Sequence, residues 1–131
     1  MSQDCDFSAI ADQRALTEKI SVRPGEFLFR EGDDADALYI VTRGLLRIVS
    51  GSVVYETVRA GGIVGEMAIV DEGIPRSASV IAGTFAELIK VDSSQFNALI
   101  ADAPEFALMV MRVMARRLRL MNQRYRPQMA W

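Results

Sequence analysis

At 131 residues, 50% of them apolar and 24% charged, the chain has the size and composition of one folded domain with its own core. Its single cysteine, Cys5, excludes an internal disulfide and has no nucleophile or metal-site surroundings, and the lack of histidine argues against zinc, haem and the commonest general base. The net charge of −2 hides an asymmetry: residues 1–105 hold nine bases against 17 acids, a net of −8, while residues 106–131 hold six arginines and no acid. The opening MSQDCDFSAI is acidic without an apolar signal segment, and no apolar run approaches the ~18 residues of a membrane span. A cytoplasmic chain with no membrane segment is the expectation.

Ser8 to Ile20 reads as one short helix or two turns, with Ile10, Leu16 and Ile20 as candidate buried positions. Ser21 to Arg23 is extended, and Arg23-Pro24-Gly25-Glu26 is a turn in which proline sets one dihedral and glycine frees the next. Phe27 to Arg30 forms a strand, and Glu31-Gly32-Asp33-Asp34 turns it back. Further strands follow at Leu38–Val41, Leu45–Ser50 and Val53–Val58, separated by Arg43-Gly44 and Gly51-Ser52. After an irregular stretch, Ser77–Ala82 and Ala86–Val91 give the last two. Short strands with glycine-containing turns predict a mainly-β antiparallel barrel or jelly roll, a fold with a concave interior for a small ligand.

The irregular stretch, Gly61 to Ala82, reads GGIVGEMAIVDEGIPRSASVIA and carries the chemistry. Glu66 to Val70 can make only a turn or two of helix before Asp71, Gly73 and Pro75 stop it. A helix start directly after a glycine leaves backbone N–H groups unsatisfied, Arg76 adds a planar fork suited to phosphate oxygens, and Ser77 adds a hydroxyl. Glu66 is a poor companion for a phosphate unless the ligand also carries hydroxyls, whose hydrogen bonds an ionised carboxylate accepts. A phosphate with a ribose hydroxyl describes a nucleotide. The competing reading pairs Glu66 with Arg76 as an ordinary surface salt bridge, worth about 0.2–1 kcal/mol.

Gly65-Glu66-Met67-Ala68 followed by Arg76-Ser77-Ala78-Ser79-Val80 resembles the phosphate-binding cassette of the cyclic nucleotide-binding domain family, and the resemblance runs from roughly Ile10 to Tyr125. It implies an antiparallel β-roll (a double-stranded, jelly-roll-like β-helix) with a short phosphate-binding helix, an N-terminal helix and two C-terminal helices. One domain would fill residues 1–131, with the barrel at about 18–91 and the C-terminal helices at about 92–125. By the same resemblance Glu66 takes the ribose 2′-hydroxyl, Arg76 and Ser77 take the cyclic phosphate, and the backbone around Gly65 and Ala68 adds contacts. Val64, Met67 and Ala78 complete the candidate binding segment. Val64 departs from the family, many of whose members have Phe there. The ligand implied is cAMP ahead of cGMP, although a hydroxyl at Ser77 or Ser79 is placed to reach a guanine amino group in the syn conformation. No catalytic residue, cofactor or metal is expected.

Asp92 or Ser93 caps the next helix, which presents Phe96, Leu99 and Ile100 on one side and breaks at Asp102-Ala103-Pro104. A long helix then runs from Pro104 or Glu105 to about Asn122, and Pro127 ends any continuation. It carries two apolar stripes: Phe106, Met109, Val110 and Val113; and Met111, Met114, Leu118, Met121 and Tyr125. Either both bury in this domain, or one closes the barrel while the other covers the ligand base or meets a second chain as a homodimer. In the family this helix often serves as lid and dimer element, so Arg116, Arg117 or Arg119 is a candidate contact to the base or its phosphate-side surroundings. A solvated basic face is the plain alternative for these arginines.

The composite expectation is a noncatalytic sensor, or regulatory module, that binds a cyclic nucleotide and signals to a separate effector by repacking its C-terminal helices. The alternative is a structural or protein-interaction module with an unused nucleotide pocket. An enzyme on the related small-barrel scaffold is disfavoured because those barrels chelate metal through histidines. DNA binding is not expected, since the family's transcription factors carry a helix-turn-helix module after the long helix and none follows in these 131 residues.

Overall fold

The structure, a computed structural model, describes residues 6–125; Cys5, and Pro127 as the expected helix stop, lie outside the described residues. The elements follow in the order α1 (Ser8–Gln13), β1 (Lys19–Val22), β2 (Phe27–Phe29), β3 (Ala37–Arg43), β4 (Leu45–Ser50), β5 (Val53–Arg59), β6 (Ile63–Val64), α2 (Glu66–Val70), β7 (Ser79–Ala82), β8 (Ala86–Asp92), α3 (Ser93–Asp102) and α4 (Pro104–Tyr125). The strands form two four-stranded antiparallel sheets, β1-β8-β3-β6 and β2-β7-β4-β5. This is the mixed, jelly-roll-like arrangement expected from the spacing of the strands.

The first sheet is covered on both faces, which accounts for the near-continuous burial along β3 and β8. Because side chains alternate along a strand, Val41, Val64, Ala86 and Leu88 face the second sheet and pack with Val22, Leu46, Val58 and Val80. Leu38, Ile40, Ile63, Ile89 and Val91 point the other way, into a second core shared with Phe7, Ile69, Phe96, Leu99, Phe106, Val110 and Val113. In that core Phe106 receives Phe7 and Phe96 edge to face, at centroid distances of 5.9 and 5.6 Å. The helices are thereby fastened to the outer face of the sheet that carries the ligand segment.

Several boundaries depart from the sequence reading. The first helix ends at Gln13, where Ala15 takes φ 54°, and Ile20 lies instead in β1 opposite Leu88. The two-residue strand β6, hidden between Gly62 and Gly65, pairs with Tyr39 and Ile40. Strand β7 begins at Ser79 rather than Ser77 because the Arg76 backbone is engaged with the β2–β3 turn, its N–H donating to the Asp33 carbonyl (2.9 Å) and its carbonyl accepting from Gly32 N–H (2.8 Å). The start of α3 matches its signal: Asp92 and Gln95 form a reciprocal capping box. Among the described residues no helix is long and apolar enough to cross a membrane.

The last helix does not bury both of its stripes. Phe106, Val110 and Val113 are buried, and Met109 and Met114 pack partly against them. Met111 is 56% exposed and Leu118 49%. The side chain of Tyr125 lies outside the described part of the structure.

Candidate functional site

Gly65 is the pivot of the ligand segment. It caps α2 with φ 84°, a conformation that costs any residue with a β-carbon, and it puts the Gly65 carbonyl within reach of Arg76. The Arg76 guanidinium donates from Nη1 to that carbonyl (3.2 Å) and from Nη2 to the Ala37 carbonyl (2.8 Å), and it lies 4.0 Å over the Phe29 ring. Among the described residues its Nε has no acceptor, and no carboxylate comes within ion-pair distance of it. Arg76 is 5% exposed. Burial lowers its pKa, against the more distant attraction of Tyr39, Asp36, Glu66 and Asp33. A buried cation held by carbonyls alone is expensive unless an anion completes it.

Glu66, only 2% exposed, is the other buried charge. It does not pair with Arg76. Its Oε1 accepts from Arg117 Nη1 of α4 at 2.6 Å, while Arg117 Nε donates to Glu56 Oε1 (2.8 Å) and Nη2 to the Ile63 carbonyl (2.7 Å). Arg116 Nη2 holds the other oxygen of Glu56 at 3.2 Å. Burial works against the Arg117 charge, but Glu66 and Glu56 outweigh it and raise its pKa above the ordinary value. Among the described residues Oε2 of Glu66 receives no hydrogen bond.

Arg76 and Glu66 line one cavity of about 320 Å³, at the lower end of the usual size for small-molecule sites. Gly65, Met67, Ala68, Ser77 and Ala78 line it as well, so seven of the eight sequence candidates converge there. Val64 does not: it is fully buried between the two sheets, behind the segment. Ser79 is also outside the cavity, its hydroxyl accepting from Glu31 N–H at 2.8 Å. The remaining wall is largely apolar, with Phe29, Ile48, Tyr55 and Val80 from the strands and Leu120 and Met121 from α4, interrupted by Ser50, Glu56 and Arg117.

Of the three arginines left open on the last helix, Arg117 faces the cavity, Arg116 braces Glu56, and Arg119 is exposed. Arg117 contacts the Glu56 and Glu66 carboxylates and the Ile63 carbonyl on the wall of the cavity that Arg76 and Ser77 also line. Its position was readable from phase: Phe106, Val110, Val113 and Arg117 recur at four, three and four residues, one face of the helix. Glu56 carried no such signal, being one carboxylate in a strand that is mostly exposed.

A family model described as "Cyclic nucleotide-binding domain" matches residues 19–103. The chain is 32% identical over 107 residues to lysophospholipase nte1 of Neurospora crassa, spanning 78% of this chain and 7% of that protein. It is 32% identical over 125 residues to a CRP-like cAMP-activated global transcriptional regulator of Mycobacterium tuberculosis, spanning 92% of this chain and 55% of that one. The Thermus thermophilus catabolite activator protein superposes with a TM-score of 0.73 at 29% identity, covering 86% of this chain and 57% of that one.

Proposed function

The chain belongs to the cyclic nucleotide-binding domain family, and on that premise we propose that it is a noncatalytic sensor of a 3′,5′-cyclic nucleotide. The observation that carries this reading is the Arg76 guanidinium, buried with no anionic partner among the described residues in the same cavity as the half-used Glu66 carboxylate. A cyclic phosphate completes Arg76 and is met by the Ser77 hydroxyl beside it. Oε2 of Glu66 accepts the ribose 2′-hydroxyl. The base then lies against the apolar wall toward Leu120 and Met121.

That wall supports cAMP ahead of cGMP. Guanine brings more hydrogen-bonding groups than adenine, and each one buried without a partner costs about 1–3 kcal/mol. Ser50 and Ser77 are the serines on the cavity wall, among the described residues, that can offset this. The mycobacterial relative is itself described as cAMP-activated. Occupancy reaches α4 because Arg117, Leu120 and Met121 form part of the cavity, so a ligand with different affinities for two placements of α4 shifts their balance. A separate effector protein or domain would read that shift.

A second copy of the chain is the partner we assign to the outer face of α4. Leu108, Met111, Ala115, Leu118 and Asn122 recur at alternating spacings of three and four on the side opposite Phe106, Val110 and Val113. All but Asn122 are exposed, and Asn122 Oδ1 is buried, with no hydrogen-bond partner among the described residues. A parallel pair of helices would bury Leu108, Met111, Ala115 and Leu118 against their counterparts.

Calorimetry with cAMP, cGMP, 2′-deoxy-cAMP and 5′-AMP tests the sensor. The expected order is cAMP first, cGMP weaker, and both other compounds weaker still. No heat with any cyclic nucleotide at high micromolar concentration would replace the sensor with a protein-interaction module whose cavity is unused.

A further inference from the structure

Arginine and carboxylate commonly meet side on, with two parallel N–H···O bonds. Such a pairing between Arg117 and Glu66 would consume both oxygens of Glu66 and leave nothing for a sugar hydroxyl. The observed contact is single-pronged: only Nη1 of Arg117 reaches Glu66, at Oε1. The reason lies on the far side of the guanidinium, where Nε is held by Glu56 at 2.8 Å and Nη2 by the Ile63 carbonyl at 2.7 Å. Glu56 is in turn steadied through its other oxygen by Arg116.

We propose that Glu56 is a positioning residue which, by holding Nε of Arg117, keeps the Arg117–Glu66 contact single-pronged and so preserves Oε2 of Glu66 as the acceptor for a ribose 2′-hydroxyl. This rests on the cyclic-nucleotide reading of the cavity. Without Glu56 the Arg117 fork loses the partner that turns it edge-on, and Glu66 is the nearest carboxylate left to it. Arg117 then rotates to take both Glu66 oxygens, and the site stops distinguishing ribose from deoxyribose. The carbonyl of Ile63 does not prevent this, since a guanidinium has five N–H groups to share.

The measurement is the ratio of dissociation constants for 2′-deoxy-cAMP and cAMP, by calorimetry, in the unaltered chain, Glu56→Ala, Glu56→Gln and the double variant Glu56→Ala/Arg117→Lys. The unaltered chain should favour cAMP by about tenfold or more, the cost of leaving a buried carboxylate oxygen unmet. The ratio should fall to about one to threefold in Glu56→Ala and to an intermediate value in Glu56→Gln, whose neutral amide is a weaker acceptor. It should recover in the double variant, because a lysine ammonium has no fork with which to cover both oxygens. Glu56→Gln preserves side-chain shape and supplies the answer if the alanine variant does not fold. A ratio unchanged in Glu56→Gln and Glu56→Ala, with both ligands weakened equally, would make Glu56 merely structural and overturn the proposal while the sensor reading stands. A ratio near one in the unaltered chain would overturn both.

Discussion

A β-carbon on Gly65 would lie 2.6 Å from Nη1 of Arg76, closer than any carbon tolerates. The backbone of one ligand-segment residue thus fixes where the cation of the other can sit, and glycine is required twice over, by this approach and by its φ of 84°. Gly65→Ala should cost about 1–2 kcal/mol in backbone strain and displace Arg76 from the Gly65 carbonyl. Chemical denaturation would read the first effect and nucleotide titration the second, with an expected affinity loss of about tenfold or more. Retained affinity in a folded Gly65→Ala protein would mean that the placement of Arg76 tolerates movement.

Arg76 separates binding from stability. Replacing it with methionine keeps much of the packing on Phe29 while removing a buried cation with no carboxylate at ion-pair distance among the described residues. Arg76→Met should lose about 2–5 kcal/mol of cyclic-nucleotide binding. The ligand-free protein should melt within about 1 kcal/mol of the original stability, or above it, as seen when buried charges give way to apolar groups. A large drop in ligand-free stability would instead assign Arg76 a structural role.

How much of this was readable from the chain differs by type of interaction. Glycine-marked turns, the Asp92–Gln95 cap and the short helix at Glu66 are local, and local chemistry is written in neighbouring residues. The spacing from Glu66 to Arg76 marked the ligand segment because both ends belong to one connection between strands. Val64, adjacent to the segment in sequence, faces the core between the sheets because side chains alternate along a strand. Arg117 meets Glu66 from 51 residues away and Glu56 of β5 from 61, and no spacing rule links them. Phe7 sits in an acidic terminus, where composition alone points to solvent, yet it is fully buried.

Phe7 yields a prediction of its own. Its ring closes on Phe106, and its N–H donates to the Gly61 carbonyl at 2.8 Å, so it ties the N-terminal segment to the loop that leads into the ligand segment. Phe7→Ala should destabilise the protein by about 3–5 kcal/mol, the usual range for emptying a buried phenylalanine site. Urea unfolding measures this directly. A loss under about 1 kcal/mol would show that the terminal segment is held by other contacts.

The outer face of α4 gives the last prediction, in which one substitution blocks association and another leaves it in place. Leu118 is exposed, lies outside the cavity, and sits in the middle of the row from Leu108 to Asn122. Leu118→Glu places like charges face to face in a parallel pair, so sedimentation velocity should show a monomer that still binds cyclic nucleotide with affinity within about threefold. Asn122 acts differently. Its Oδ1 is buried within the protomer and meets no hydrogen-bond partner among the described residues, a liability of about 1–3 kcal/mol. Asn122→Val should therefore raise the stability of the protomer itself in urea unfolding and leave its association within about threefold. A chain that is monomeric at every concentration, with and without nucleotide, would leave the row from Leu108 to Asn122 facing solvent, and transmission through α4 would then have to act on an effector of different sequence.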